Sequence, residues 1–134
     1  MNEVVNFLNE NPVQYFSSIG IDGKPKVPPF QFMFEKNGKL YFCTNNPKDV
    51  YHEIKNNPYI EICTSSPSFA WIRLNGKVTF TNDLEVKKAI IDHSPLVKSL
   101  YQNAENLIFE TFYLEDVKAT LEDFIGNPPV KYIL

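Results

Sequence analysis

The chain has 134 residues, of which 43% are hydrophobic and 22% are charged, a balance typical of a globular protein and not of a disordered or membrane-spanning one. Its formal net charge of −3 argues against broad electrostatic binding to nucleic acid, so that any phosphate-bearing ligand would have to be held locally. We predict one domain over residues 1–134. We expect no signal peptide and no membrane span, and therefore a cytoplasmic protein.

The first half of the chain predicts a short helix followed by three antiparallel strands. Asn2 is in position to cap the helix, which carries an apolar stripe on one side. Asp22-Gly23 and a second tight turn over residues 36–39 are typical of hairpins. The expected strands are Val13–Ile21, Lys26–Phe34 and Leu40–Thr44, and the second of them places Phe30, Phe32 and Phe34 on one face.

A candidate anion site lies where the third strand passes into the next helix. Asn46 stands at the expected N-cap and Pro47 at the first helical position. The hydroxyl of Thr44, the amide of Asn45 and the ammonium of Lys48 could then converge with free backbone N–H groups on one point. Because a helix N-terminus attracts anions, this set predicts a phosphate site. The alternative is an ordinary capped helix with a solvated lysine.

The second half of the chain predicts further strands and two more helices. The strands are expected at Tyr59–Thr64, Phe69–Thr81, Leu107–Leu114 and, as a possible seventh strand, Ala119–Phe124. Asp83 caps one helix, a short helix is expected at Leu96–Tyr101, and Gly76 permits the longest strand to bend. The first three strands leave no room for crossover connections. We therefore predict a mainly β fold, an antiparallel barrel of six to seven strands with short inserted helices.

Three large side chains fall on strand faces that should be solvated in a monomeric barrel. They are Tyr41, Trp71 and Arg73. Exposed aromatic side chains beside arginine are typical of protein interfaces, and a two-fold dimer is the commonest closed assembly. The pattern therefore favours a homodimer, with scattered surface aromatic side chains as the alternative.

The cysteines and histidines do not form a recognisable catalytic or metal-binding pattern. Cys43 and Cys63 lie in predicted strands without C-x-x-C spacing, and we interpret both as small buried hydrophobic side chains in a reducing compartment. His52 falls within the second helix and His93 near the end of the third, and we interpret each as a surface histidine or a hydrogen-bonded structural one, and not as a catalyst. We therefore expect no metal site, and no side chain stands out as a catalytic acid or base.

An ordered set of short segments extends over most of the chain. The segments are residues 22–25, Pro29-Phe30-Gln31-Phe32, residues 40–45, the helix with Lys48, Asn57-Pro58, the strand Arg73–Val78, Ala119-Thr120 and Gly126. In this order they resemble the pyridoxamine 5′-phosphate oxidase-like, FMN-binding split-barrel proteins. The resemblance implies a split β-barrel and a homodimer with two FMN sites at the subunit interface.

The resemblance also implies which residues would hold FMN. The segment beside the isoalloxazine ring would consist of Val27, Pro28, Pro29, Phe30 and Gln31, and the neighbouring Lys26 is a candidate contact to the phosphate. The ribityl chain and phosphate would be held by Phe42, Cys43, Thr44, Asn45 and Lys48. Trp71 and Arg73 would approach the flavin from the partner chain. A flat apolar slot with a few polar donors is what a flavin requires.

The chain departs from the family pattern in ways that leave alternatives open. Pro28 stands where the family often has an arginine, and Lys48-Asp49-Val50 stands where the true oxidases have Ser-Arg-Lys. The longer C-terminal region that those oxidases use for their substrate is also missing. We therefore expect a flavin-dependent oxidoreductase that acts on a small oxidised compound other than pyridoxamine phosphate. The alternatives are a non-enzymatic flavin-binding or electron-carrier module, and a barrel that binds another ligand such as a deazaflavin or haem.

Overall fold

The computed structural model describes residues 1–134, which form four helices and nine strands. The helices are α1 (Asn2–Glu10), α2 (Asp49–Asn56), α3 (Leu84–His93) and α4 (Pro95–Tyr101). The strands are β1 (Gln14–Ile19), β2 (Pro25–Lys26), β3 (Pro29–Phe30), β4 (Phe34–Lys36), β5 (Lys39–Asn45), β6 (Tyr59–Ser65), β7 (Ala70–Thr81), β8 (Phe109–Asp123) and β9 (Val130–Ile133). None of the helices has the length and apolar character needed to cross a membrane.

All strand pairs are antiparallel and follow the order β2-β1-β6-β7-β8-β5-β4, with β3 also paired to β1 and β9 to β8. This arrangement confirms the predicted mainly β split-barrel fold with short inserted helices. Its longest ladder joins β7 to β8, and its register shifts between Asn75 and Lys77. A Cβ atom on Gly76 would lie 3.0 Å from the Glu115 carbonyl oxygen, so a larger residue would crowd the backbone of β8 at this point.

Two separate hydrophobic cores fill the molecule. The main core contains 17 buried side chains from α1, α2 and the strands, including Phe16, Phe42, Ile62, Leu74 and Phe112. The second core contains eight buried side chains and lies where α3 and α4 pack on the sheet: Met33, Tyr41, Val86, Ile90, Ile91, Val97, Tyr101 and Phe109. The two cores therefore lie in different parts of the molecule, and residues of the short segment between β3 and β5 contribute to both.

The predicted second strand is wrong as a single element. Residues 26–34 are divided among β2, β3 and β4, because Pro28 and Pro29 supply no backbone N–H groups for a continuous ladder. Phe32 is buried in the main core and Phe30 packs against that core, but Phe34 stacks on Tyr41 in the second core with ring centroids 5.3 Å apart. The expectation that the three phenylalanines share one face is also wrong, since the break redirects the chain.

The predicted sixth and seventh strands are one strand. β8 runs without interruption for 15 residues, and β9, which the sequence pattern did not reveal, pairs with its second half. Asp116 has a positive φ of 53°, which is a conformation that aspartate tolerates better than most residues. The charged residues around this position interrupt the hydrophobic alternation and give the appearance of two strands.

Several side chains differ in exposure from the sequence-based expectation. Tyr41 is buried in the second core, which removes one of the three expected interface residues. Cys63 is exposed on β6, which corrects its interpretation as a buried hydrophobic side chain. His52 and His93 are both exposed, which confirms their interpretation as surface histidines.

Candidate functional site

One cleft opens between the β3–β5 region and helix α4. Its cavity volume is about 150 Å³, below the roughly 300–1,000 Å³ of most small-molecule sites, so within one chain it encloses only part of a ligand of that size. The side chains of one side, which we call the strand wall, are Pro29, Phe30, Gln31, Met33, Cys43, Thr44 and Lys48. The opposite side, which we call the helical wall, consists of Leu96, Val97, Leu100 and Tyr101. The cleft is thus mainly apolar, with hydroxyl, amide and ammonium groups among its lining.

The side chain of Gln14 holds the strand wall in place. Its Nε2 donates to the carbonyl oxygens of Leu8 at 3.0 Å and Asn11 at 2.8 Å, at the end of α1. Its Oε1 accepts the backbone N–H of Phe32 at 2.6 Å. Because Gln14 is fully buried, these hydrogen bonds are shielded from water. The segment between β3 and β4 is therefore fixed by a side chain that does not line the cleft.

Thr44 lines the cleft and carries a buried polar atom without a partner. It lies on β5 opposite Glu110 of β8, with only 3% of its surface exposed. Its Oγ1 is buried and has no hydrogen-bond partner in the protein. A buried hydroxyl without a partner costs about 1–3 kcal/mol, so a ligand with a complementary polar group would remove this cost. The role of Thr44 at a phosphate stays a prediction.

The start of α2 differs in detail from the prediction. Lys48 is the N-cap residue, no side chain caps the helix, and α2 begins at Asp49 and not at Pro47. The Asn46 amide donates instead to the Leu107 carbonyl oxygen and to Glu110 Oε2, both at 2.9 Å. The first-turn N–H groups of α2 therefore lack a side-chain acceptor, and the positive end of the helix lies beside Lys48 in the cleft lining.

Asp49 does not face the cleft, although it follows Lys48 directly. It lines a separate surface depression together with Asp22, Lys26, His52 and Glu53. A carboxylate in the first turn of a helix is stabilised by the helix dipole. Because Asp49 points away, its charge does not occupy the cleft next to Lys48.

Tyr101 is a lining residue that the sequence analysis did not identify as part of the site. Its side chain is buried, and its ring stacks on that of Phe109 with centroids 4.9 Å apart. Its hydroxyl oxygen accepts a hydrogen bond from Asn45 Nδ2 at 2.8 Å. Tyr101 and Asn45 are separated by 56 positions in the sequence, so no local pattern could have linked them.

The structure brings together six of the thirteen predicted site residues in the cleft lining. These are Pro29, Phe30, Gln31, Cys43, Thr44 and Lys48. Asn45 lies just outside the lining and contacts it through Tyr101. Phe42 is fully buried in the main core and stacks on Phe112, so its side chain does not face the cleft.

The remaining predicted site residues lie outside the cleft. Lys26 forms an ion pair with Asp22 at 3.1 Å, and Val27 is 59% exposed. The carbonyl oxygen of Pro28 accepts the backbone N–H of Phe16 at 3.0 Å. Trp71 and Arg73 lie on β7, where Trp71 packs on Phe124 with ring centroids 4.6 Å apart and Arg73 is exposed. Within one chain, Trp71 and Arg73 are therefore not part of the cleft.

The cleft lacks an activated thiol and a histidine. Burial raises the pKa of the Cys43 thiol to about 12, although the nearby Lys48 charge lowers it. The thiol is therefore protonated at neutral pH and is not a nucleophile. No group of three or more His, Cys, Asp or Glu side chains in the molecule could hold a metal ion. The arrangement is suited to binding a partly apolar anion.

The sequence matches a known protein family over most of its length. The family model described as pyridoxamine 5′-phosphate oxidase matches residues 1–119. No curated protein matches the sequence.

Solved structures resemble this chain over nearly its whole length. A NimC/NimA family protein from Clostridium acetobutylicum is 31% identical, with a TM-score of 0.92, and the alignment covers 100% of this chain and 92% of that one. A pyridoxamine 5′-phosphate oxidase-related, FMN binding protein from Nostoc punctiforme is 15% identical, with a TM-score of 0.76 and coverages of 98% and 88%. A heme binding protein from Mycobacterium smegmatis is 15% identical, with a TM-score of 0.72 and coverages of 93% and 54%. The last two likenesses concern the fold alone.

Proposed function

The chain belongs to the pyridoxamine 5′-phosphate oxidase family, and from this premise we propose that it is an FMN-binding flavoprotein that acts as an oxidoreductase on a small oxidised compound. The observation that carries the proposal is the unpaired hydroxyl of Thr44, a residue that lines the cleft together with Lys48 beside the uncapped start of α2. A hydroxyl, an ammonium group and free helical N–H groups together are suited to a phosphate. The likeness to a solved FMN binding protein is consistent with this choice of ligand.

The phosphate of FMN would lie at the end of the cleft formed by β5 and α2. Lys48 supplies a positive charge there, and the dipole of α2 adds to it. The unpaired Thr44 Oγ1 would gain a hydrogen bond when the phosphate binds. The arginine that the family often carries at position 28 is replaced by proline, so these groups would hold the phosphate without a bidentate clamp.

The isoalloxazine ring would lie between the segment Pro29–Gln31 and the helical wall. Phe30 is held by its stacking on Phe16, with ring centroids 4.4 Å apart, so the strand wall of the cleft is rigid at this position. Leu96 and Leu100 present apolar surface from the other side and exclude water. When bound, FMN supplies the electron or hydride transfer. The protein orients the flavin and excludes water from it. Backbone N–H groups of the Phe30–Gln31 segment would stabilise negative charge that develops on the ring.

The first test is a visible absorption spectrum of the purified protein, followed by titration with FMN. A flavin band, or saturable binding of one FMN per chain, supports the proposal. A Lys48→Ala variant should bind FMN roughly tenfold more weakly, because it loses a charge-assisted hydrogen bond. Lys36→Ala is the matched control, since it removes the same charge from an exposed position outside the cleft. A protein that does not bind FMN would overturn the proposal.

We further propose that the protein is a homodimer in the cytoplasm. Exposed apolar side chains on the sheet, including Tyr15, Tyr59 and Val130, support a partner surface. Trp71 and Arg73 would then contact the flavin of the partner. Light scattering on the purified protein distinguishes a dimer from a monomer.

Turnover distinguishes the oxidoreductase from its alternatives. An enzyme should transfer electrons from a reduced nicotinamide to acceptors such as quinones or nitro compounds, whereas a carrier module binds FMN without turnover. If the protein binds a deazaflavin in a titration but does not bind FMN, the deazaflavin alternative is favoured. Haem is the weaker alternative, because neither histidine lines the cleft.

A further inference from the structure

We propose that Tyr101 donates a hydrogen bond to the phosphate of the bound flavin nucleotide, and that Asn45 is the positioning residue that orients its hydroxyl. The inference rests on the proposed function, since it concerns the same cleft. It assigns a ligand contact to the helical wall, which otherwise contributes only apolar side chains.

The hydrogen bonding of the Tyr101 hydroxyl is incomplete in the protein. Its oxygen accepts Asn45 Nδ2 at 2.8 Å, and the hydroxyl donates to no protein group. A phenol has one proton to donate as well as lone pairs that accept. Because Asn45 occupies the accepting side, the proton of Tyr101 is directed elsewhere, and the residue lines the cleft. The hydroxyl is thus arranged as a donor towards a ligand.

The position of Asn45 places the Tyr101 hydroxyl at the end of the cleft formed by β5 and α2, where the phosphate would lie. Asn45 directly follows Thr44, and its carbonyl oxygen accepts the backbone N–H of Lys48 at 3.3 Å. The Tyr101 hydroxyl, bonded to the Asn45 side chain, is therefore at the same junction of β5 and α2. The Tyr101 hydroxyl and the Lys48 ammonium group therefore give two donors in the lining of one cleft. Both are suited to the oxygens of a phosphate monoester.

Tyr101 is held rigidly from several directions. Its ring stacks on Phe109, and its backbone carbonyl oxygen accepts the Asn106 amide at 2.9 Å and the Asn103 N–H at 2.8 Å. Helix α4 ends at Tyr101, and the residue that follows it, Gln102, has a positive φ of 72°. A donor that is already ordered loses little conformational entropy when a ligand binds. The contact can therefore strengthen binding although it comes from a short helix.

Removal of the hydroxyl tests the proposal when FMN and riboflavin are compared, because riboflavin lacks the phosphate. We expect Tyr101→Phe to weaken FMN binding roughly tenfold and to leave riboflavin binding unchanged. The ring is retained, so the melting temperature should shift little. Tyr113→Phe is the matched control: its hydroxyl contacts Glu115 at 3.4 Å at an exposed position, and FMN binding should not change.

A second variant tests the role of Asn45. Asn45→Ala should weaken FMN binding several-fold in the native protein but have no further effect in the Tyr101→Phe background, because it acts through the hydroxyl. Three results would each overturn the inference while leaving the proposed function intact. The first is equal FMN affinity in Tyr101→Phe and the native protein, and the second is a parallel loss of riboflavin binding in Tyr101→Phe. The third is that the effects of the Tyr101→Phe and Asn45→Ala substitutions on FMN binding are additive. If the native protein binds no FMN, the proposed function and this inference fail together.

Discussion

The two walls of the cleft are built in different ways. The strand wall is connected to the main core by backbone ladders and by the buried Gln14 side chain, and it contains the unpaired Thr44 hydroxyl. The helical wall packs on a separate and smaller core, and its side-chain hydrogen bonds to the sheet are few, such as that from Asn45 to Tyr101.

This difference separates two requirements of a binding site. The position of the ligand is set by backbone and by buried polar groups, which tolerate little change. On the opposite side, Leu96 and Leu100 are exposed and can be exchanged at little cost to the fold. We therefore expect the loss of buried polar groups at the strand wall to change stability, and substitutions of these two exposed leucines to affect binding alone.

The largest effect is expected when the support of the strand wall is removed. Gln14→Leu leaves the Phe32 N–H and the Leu8 and Asn11 carbonyl oxygens without their partner. The free energy of unfolding, measured by urea denaturation, should fall by about 3 kcal/mol, since each unsatisfied buried group costs roughly 1–3 kcal/mol. Gln31→Leu provides the control: Gln31 is exposed, and its stability should change by less than about 0.5 kcal/mol. Equal effects of the two substitutions would mean that Gln14 does not support the wall.

Thr44→Val should change stability and binding in opposite directions. The substitution removes a buried hydroxyl that has no partner, so the ligand-free protein should become about 1 kcal/mol more stable to urea, while FMN affinity falls roughly tenfold. In contrast, Thr111→Val removes a buried hydroxyl that donates to the Thr81 carbonyl oxygen at 2.9 Å, and it should lower stability by about 1 kcal/mol. Destabilisation by both substitutions would contradict the unpaired state of Thr44.

A truncation in the helical wall should affect binding alone. Leu100 is 61% exposed, so Leu100→Ala should change the free energy of unfolding by less than about 0.5 kcal/mol. Its loss of apolar surface in the cleft should weaken FMN binding about threefold, as measured by titration of flavin fluorescence. Leu107, which is 90% exposed and outside the cleft, is the control, and Leu107→Ala should change neither quantity. A large loss of stability in Leu100→Ala would remove the distinction between the walls.

The smallest effect concerns the Cys43 thiol and appears only in alkali. Burial raises its pKa from an ordinary 9.0 to about 12, so between these values the folded state holds a proton that the unfolded state has released. The contribution of Cys43 to the free energy of unfolding is therefore constant below pH 9 and decreases as the pH rises from 9 towards 12. The free energy of unfolding, measured by urea denaturation, should therefore be lower at pH 10 than at pH 7. This difference should be smaller in the Cys43→Ala variant. Cys63→Ala, at an exposed position, should reduce it less; a decrease identical in all three proteins would contradict the burial of Cys43.

Much of the fold could be predicted from the sequence because its signals are local. The alternation of β7, the hairpin turns and the Asp83 cap, whose carboxylate accepts the Glu85 N–H at 2.9 Å, each depend on neighbouring residues. The failures have physical causes as well. Pro28 and Pro29 divide a strand that the phenylalanine pattern made appear continuous, and Asp116 bends the chain without ending β8.

The candidate site could be predicted on the strand wall but not on the helical wall. Thr44 and Lys48 lie within five residues of one another, at a strand–helix junction that is typical of anion sites. Tyr101 enters the cleft only because α3 and α4 pack on the second core, and Gln14 acts through bonds to α1 and to Phe32. Such contacts depend on tertiary packing, and no spacing in the sequence indicates them.

The pairing of β5 with β8 also determines when the cleft can form. Asn45 is paired with Phe109 and Tyr41 with Tyr113, so β5 acquires this neighbour only after most of the chain has been synthesised. Contacts between residues so distant in sequence close long loops and form slowly. A nucleotide that needs Thr44 in its final position can therefore bind only to chains that have completed this step. Because binding to the native state alone shifts the folding equilibrium, the cofactor would select finished molecules and would not act as a template for nascent ones.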